Sequence, residues 1–381
     1  MSSAMVAGIG VTPFGKHFER SLISLATEAA HSALADAGVK PSQVDACFFS
    51  NVLGCYLFGD ATIGQNVFWE VGINRVPVVN VENACASSST AFYLACNMVA
   101  AGQAEVVLVV GAEKMWVLEL GLLHSGKTEL DTLMGLSAPA SFALRAVRHM
   151  VEFGTTREQL AEVSVKNRRH AMSNPMALYR KPTTIPEVLA STMIVDPLTK
   201  LMCCPIADGA AAAVVCSPSA AKNIGRSIKV GASILCSGNY ENPQDIVRWE
   251  TDYRACRLAY DKAGLGPGDL DIVECHDAFA ISEIMHYEAL GLCAEGEGGR
   301  FVMEGDAELG GKTPVNTSGG LLSRGHPLGA TGLAQIGEVV TQLRGEAGQR
   351  QVENARVGLA HCMGGDKAGD TKNCTVVILS K

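Results

Sequence analysis

Residues 33–45, A-L-A-D-A-G-V-K-P-S-Q-V-D, recur at 259–271 as A-Y-D-K-A-G-L-G-P-G-D-L-D. Ala33/Ala259, Ala37/Ala263, Gly38/Gly264, Pro41/Pro267 and Asp45/Asp271 superpose. Each copy reads as a helix, a glycine stop, a proline turn and the start of a buried strand. A chain of 381 residues has room for two copies of one α/β fold. The helix-turn-strand unit is widespread, so the order of the later elements has to carry the inference. A glycine-rich turn, a helix over Leu328 to Leu343, and strands over Ala355 to Ala360 and Thr375 to Leu379 follow the second copy much as their counterparts follow the first.

In the first half, Val6 to Val11 reads as a strand. Leu22 to Ala37 reads as a helix with Leu22, Ala26, Ala29, Ala33 and Ala37 on one face. Asp45 to Asn51 reads as a buried strand, and Val76 to Val81 as an extended run. Between Trp116 and about Lys200 charges, Met, Pro and His become frequent and strand-like runs almost vanish, which marks an insertion. Its middle, Ala143 to His170, is amphipathic and helical, and Thr156-Arg157-Glu158 has the form of a helix start. Pro175 to Pro197 reads as loop, and a buried strand resumes after Asp208. The expected organisation is a first half over 1–115 and 201–225, an inserted domain over 116–200, and a second half over 226–381.

Hydrophobic content of 48% with 40 glycines and few aromatics fits buried strands and tight turns. A net charge of −8 argues against a nucleic-acid surface. The 13 cysteines are scattered without a C-x-x-C pair, which argues against a disulfide framework or structural zinc, and no metal is expected. The N-terminus M-S-S-A-M-V-A-G-I-G lacks the flanks of a signal peptide, no run approaches a membrane span, and the final L-S-K is not a peroxisomal address. A cytoplasmic protein is the expectation.

Chemistry concentrates in four places. In V-E-N-A-C-A-S-S-S-T, Cys85 sits where a strand turns into a helix, and the unpaired N–H groups of a helix start bias a thiol towards thiolate. The competing reading is one more small buried residue. The other three are Glu274-Cys275-His276-Asp277-Ala278-Phe279, the run from Asn316 through Arg324-Gly325-His326-Pro327, and Leu359-Ala360-His361-Cys362-Met363-Gly364-Gly365. Singly, His276 reads equally as a helix cap, His326 as a turn residue and Cys362 as a packed thiol. Together with Cys85 they supply a nucleophile, a base and a second acid/base thiol.

The chain resembles a thiolase over nearly its whole length. E-N-A-C-A-S-S-S, the G-H-P at 325–327 and the C-x-G at 362–364 match the family's motifs in the family's order. H-D-A-F at 276–279, where many thiolases carry N-E-A-F, is similar to the sterol-carrier-protein (lipid-transfer) branch, as are T-T-R-E-Q-L-A, Y-R-K-P and P-I-A-D-G-A-A-A. The resemblance implies a thiolase fold of two repeated βαβαβαββ halves in a five-layer αβαβα arrangement with an inserted loop domain, in dimers or tetramers. It implies acyl exchange on coenzyme A as substrate, with no permanently bound cofactor. By that resemblance Cys85 takes the acyl group, His326 activates it, and Cys362 is the acid/base at the α-carbon. The N–H groups of Cys85 and Gly364 form one oxyanion hole, and His326 with a water held by His276 forms the other. Relatives of this branch with an H-D-C-F motif carry a cysteine where this chain has Ala278; here Cys362 is present and takes that role. The resemblance gives His361 none.

The expected activity is thiolytic cleavage of a 3-ketoacyl-CoA, or Claisen condensation in reverse. Two alternatives stand beside it: a C-acyltransferase using a non-CoA acceptor with a small zinc-ribbon/OB-fold partner subunit, and an acyl-CoA or lipid carrier without chemistry. Retention of the nucleophile and base weighs against the carrier.

Overall fold

The computed structural model describes residues 4–117, 129–222, 224, 226–239, 245–367 and 369–381. Part of the expected insertion (118–128) and the expected end of the first half, residue 225, lie outside them.

The repeat seen in the sequence is a repeat of structure. Helix Leu22–Ala37 ends on Gly38 and helix Glu250–Ala263 ends on Gly264, both glycines in the left-handed conformation that a Cβ disfavours. A single 3₁₀ turn follows each, Pro41–Gln43 and Pro267–Asp269, and then the strands Ala46–Ser50 and Ile272–Glu274. The aspartate before each strand does the same job twice. Asp45 accepts from the N–H groups of Glu105 and Val106, and Asp271 from those of Arg356 and Val357. Each carboxylate thereby fixes the start of the neighbouring parallel strand.

Strand order repeats too. From its outer edge the first sheet runs Val78–Val81, Ala46–Ser50, Val106–Glu113, Gly209–Cys216 and Met5–Val11. The second runs Ile272–Glu274, Val357–Lys367, Asp370–Ser380 and Ile228–Ser237, with Val315 bridged to Val273 in the edge position. The two join edge to edge through Met5/Lys229 and Val6/Ile228.

Period-two alternation divides the core into layers. Leu108 and Val110 face the outer helices Leu22–Ala37 and Ile63–Val71, while Val107 and Val109 face the middle. In the second sheet Val377 and Leu379 face the middle, and Val376 and Ile378 face the helices Glu250–Ala263 and Ala280–Ala289. Between the sheets lie helices Ser87–Ala100 and Thr331–Arg344, giving five layers, αβαβα. Their approach is close: a Cβ on Gly332 would sit 2.7 Å from that of Ser89. This contact sets the helix that follows Cys85 against the helix that follows His326.

The expected insertion keeps to its reading in the middle and departs from it in the later part. Ala143 to His170 is helical, in two helices, Ala138–Phe153 and Arg157–Ala171, separated at left-handed Gly154, and the second starts at Thr156 as read, its hydroxyl accepting from the Gln159 N–H. The segment read as loop contains a helix, Ile185–Ala190, and a hairpin of Met193–Val195 with Leu198–Thr199. Thr184 and Glu187 form a reciprocal capping box, and Pro186 sits in the first turn, where its missing N–H costs nothing.

Candidate active site

The four segments converge. The edge strand Val78–Val81 leads into a tight turn in which Ala84, a non-glycine residue, has φ +49°. Such a conformation costs about 1 kcal/mol and persists only where its surroundings enforce it. Here Ser87 Oγ accepts from the Asn83 N–H at 2.7 Å, and Asn373 Nδ2 bonds Asn83 Oδ1 at 2.7 Å. The turn presents Cys85 just before helix Ser87–Ala100.

His326 Nε2 lies 3.3 Å from Cys85 Sγ. Its other nitrogen, Nδ1, lies 2.8 Å from Thr331 Oγ1, whose own hydroxyl faces the Pro327 carbonyl at 2.9 Å. Because a carbonyl only accepts, the Thr331 proton goes to Pro327 and its oxygen accepts from His326 Nδ1–H. His326 therefore turns a lone pair at Nε2 towards the Cys85 thiol, the tautomer a base requires.

The Cys362 thiol donates to the Cys85 carbonyl at 3.2 Å from strand Val357–Lys367. The His276 ring stands edge-on to His326 with centroids 5.2 Å apart, and its buried Nε2 has no partner among the described residues. One nitrogen from each of these rings and the Cys85 sulfur fall within 4.8 Å of one another. Donors so placed can also take a metal, as can a second set, Asp252, His286 and His361.

The electrostatics correct one expectation. Burial pushes the Cys85 thiol up to about 12, against the lowering effect of its own N–H and that of Gly365. Burial pulls His326 down to about 3, with the Arg324 guanidinium adding to it. Desolvation of a charge exceeds what a few N–H dipoles return, so the resting pair is thiol and neutral imidazole, not a preformed thiolate. Burial likewise pushes Cys362 well up, the neighbouring Cys85 adding and a Ser89 hydrogen bond opposing. The free protein should therefore show iodoacetamide labelling of Cys85 that rises about tenfold per pH unit from pH 6 to 9, since only the thiolate is alkylated. A rate already level by pH 7 would mean a thiolate–imidazolium pair instead.

Several residues at the site were not singled out from sequence. Thr331 sets the His326 tautomer. Gly365 supplies the N–H that reaches the Cys85 sulfur, next to Gly364, whose backbone packs on the Asn83 carbonyl. Glu113 is fully buried and accepts from the N–H groups of Val52, Leu53 and Gly329 and from Asn51 Nδ2, tying the loop after His326 to the first sheet. Burial pushes its carboxyl up to about 7. In sequence these are a threonine, a second glycine and a strand-end glutamate, with nothing to set them apart. Two cations of the inserted region are already paired: Arg145 is buried and lies 2.8 Å from Asp366, and Lys166 lies 2.6 Å from Glu283. Met134 is exposed there, whereas Leu136 and Met176 are half-buried.

No helix of the described residues is long and apolar enough to cross a membrane. The family profiles "Thiolase, N-terminal domain" and "Thiolase C-terminal domain-like" match residues 4–219 and 237–381. Human sterol carrier protein 2 is 41% identical over 94% of this chain and 69% of its own length. An acetyl-CoA acetyltransferase of Methanothermobacter thermautotrophicus is 41% identical over 96% of this chain and 97% of its own. The benzoylsuccinyl-CoA thiolase subunit BbsB of Thauera aromatica is 39% identical over 97% of both. Among solved structures, the Ltp2-ChsH2(DUF35) aldolase superposes with a TM-score of 0.85 at 29% identity, covering 99% of this chain and 97% of that one. The repeated strand order, the converged cysteines and histidines and both profile matches agree: the chain belongs to the thiolase family of acyltransferases.

Proposed function

We propose that this protein is a thiolase that exchanges an acyl group between a 3-ketoacyl-CoA and coenzyme A through a thioester on Cys85. The observation that carries the reading is the 3.3 Å contact of Cys85 Sγ with the unprotonated Nε2 of His326, with the Cys362 thiol alongside.

In cleavage, His326 Nε2 takes the Cys85 proton as the sulfur adds to C3 of the substrate. The C2–C3 bond then breaks. Its electron pair forms the enolate of the departing acyl-CoA, and Cys362 gives its proton to C2. The negative oxygen at C3 is met by backbone N–H groups at Cys85 and Gly364, and the enolate oxygen by His326, now an N–H donor, and by a water on His276. The elevated Cys362 thiol suits this cycle, because the thiolate it leaves is a strong base for the incoming coenzyme A thiol. That thiol gives its proton to Cys362, attacks the Cys85 thioester and releases the shortened acyl-CoA, and the departing Cys85 sulfur takes back the proton held on His326. Residues 1–115 with 201–225 and residues 226–381 are the two halves that supply these groups, and 116–200 is the domain that shapes the acyl site. A dimer or tetramer in the cytoplasm completes the reading.

A second reading is supported by the likeness to the Ltp2-ChsH2(DUF35) aldolase and to the benzoylsuccinyl-CoA thiolase subunit BbsB. In it, a small zinc-ribbon/OB-fold subunit joins this chain and the acyl acceptor is not coenzyme A.

The deciding experiment is a thiolysis screen over short, long, branched and aromatic 3-ketoacyl-CoA, with and without any co-purifying subunit. Coenzyme A-dependent cleavage of at least one class, with a mass increment on Cys85, is expected. If neither cleavage nor the increment occurs with any substrate, with or without the subunit, the thiolase reading falls.

A further inference from the structure

Behind the site lies a polar cluster that the mechanism does not use. Asp252 on helix Glu250–Ala263, His286 on helix Ala280–Ala289 and His361 on strand Val357–Lys367 are all fully buried. His286 Nδ1 lies 2.7 Å from Asp252 Oδ2, and His361 Nε2 lies 2.9 Å from Asp252 Oδ1. The remaining nitrogen of His286 meets the backbone carbonyl of His276 at 3.1 Å. Trp249 stacks on His286, and the Cys374 and Cys256 sulfurs close the shell at 3.4 Å from His361 Nε2 and 3.5 Å from Asp252 Oδ1.

Packing does not account for this trio. Apolar residues of the same volume would fill the space without desolvating a carboxylate and two imidazoles. Burial opposes ionisation of Asp252, and His361 and His286 overcome it, holding the carboxyl well below the usual carboxylate range. The nitrogen–oxygen separations are those of hydrogen bonds. Ligands sharing a metal at bonds of roughly 2.0–2.2 Å in a tetrahedron would stand ~3.4 Å apart.

What the trio touches is selective. One arm runs from Asp252 through His286 to the backbone of His276. The other runs to His361, the residue before Cys362, and successive strand residues point to opposite faces, so His361 faces Asp252 while Cys362 faces Cys85. Cys85 and His326 stand on other segments, outside both arms.

We propose that Asp252, acting through His286 and His361, is a positioning residue that clamps the His276 loop and the Cys362 strand into register for carbon–carbon bond exchange. The proposal rests on the thiolase reading above. A positioning error of an ångström can cost on the order of 100-fold in rate, and here it falls chiefly on the enolate step. Loading of Cys85 depends on Cys85, His326 and the Gly364 N–H, and Gly364 is held against Asn83 and Asn373 rather than by the trio, so loading is largely spared.

The test compares half-reactions in the full-length protein. Asp252→Asn is expected to acquire an acyl group from acyl-CoA at Cys85 within about threefold of the native rate, while kcat for thiolysis falls at least about 30-fold with KM little changed. His286→Ala should behave likewise. His286→Gln, whose side-chain amide can still donate to the His276 carbonyl, should recover part of the loss, and this pair decides the matter if Asp252→Asn does not fold. Equal losses in loading and thiolysis, or no loss in either, would show a cluster that only supports the fold, and the proposal would be wrong. One equivalent of zinc per chain, lost in His286→Ala, would assign the cluster to a metal and also overturn it. A native protein that neither loads nor cleaves refutes the thiolase reading itself, before any variant is compared.

Discussion

Cys85→Ala should lower thiolysis and condensation by at least about 10³-fold and remove every acyl adduct that acyl-CoA leaves on the protein. The expectation follows from position. The sulfur lies 3.3 Å from a ring nitrogen that presents a lone pair. Cys362, though near, faces a carbonyl rather than a base. Without Cys85 the oxyanion donors remain but no covalent intermediate forms, so the residual rate reflects binding and polarisation alone. Folding should be unaffected, because alanine fits the same turn and the bonds that hold the turn, Asn83 N–H to Ser87 Oγ and Asn373 Nδ2 to Asn83 Oδ1, do not involve the Cys85 side chain. Mass spectrometry after incubation with acyl-CoA reads the adduct directly, and a full adduct on the variant would move the nucleophile elsewhere.

Much of this arrangement is legible in the sequence because it is carried by short, contiguous signals. The paired segments at 33–45 and 259–271 contain their own stops, turns and strand-fixing aspartates, so local chemistry specifies the unit twice and the two copies fold alike. Cys85, His276, His326 and Cys362 are visible for a similar reason, since each interrupts an apolar element with a polar group at a strand end. What escapes is whatever depends on long-range pairing. Thr331 matters only because its proton is already committed to Pro327. Asp252 lies in a helix that reads as an ordinary amphipathic segment, and its burial arises only when the strand bearing His361 is laid beneath it. The thiolate expected at Cys85 failed for a different reason. A helix start is legible in sequence, but the depth at which it is buried is not, and depth decides the sign. Helix Ile185–Ala190, by contrast, is local: Thr184 and Glu187 have capping-box spacing, a signal present in the sequence itself.

The second large effect separates the two thiols. Cys362→Ala should keep loading of Cys85 within a few fold of native while carbon–carbon bond exchange falls by about 10³-fold. Cys362 donates to the Cys85 carbonyl and lies near Ser89 and Thr375, whose hydroxyls are 2.6 Å apart, with Thr375 also donating to the Cys362 carbonyl. None of these contacts reaches His326, so activation of Cys85 survives the change. Proton exchange at the α-carbon does not. Burial pushes Cys362 far up, so the same sulfur is a reluctant acid and, once ionised, a strong base, and alanine can be neither. Cys362→Ser is the sharper probe. It fills the same space and can still donate to the Cys85 carbonyl, but a hydroxyl is far harder to deprotonate than a thiol, so exchange should stay near the alanine level. Solvent deuterium incorporation into the methyl group of acetyl-CoA isolates the step, because it needs no acyl transfer to Cys85. Incorporation at the native rate in both variants would take the acid/base role away from Cys362 and leave His276 and its water as the groups to examine.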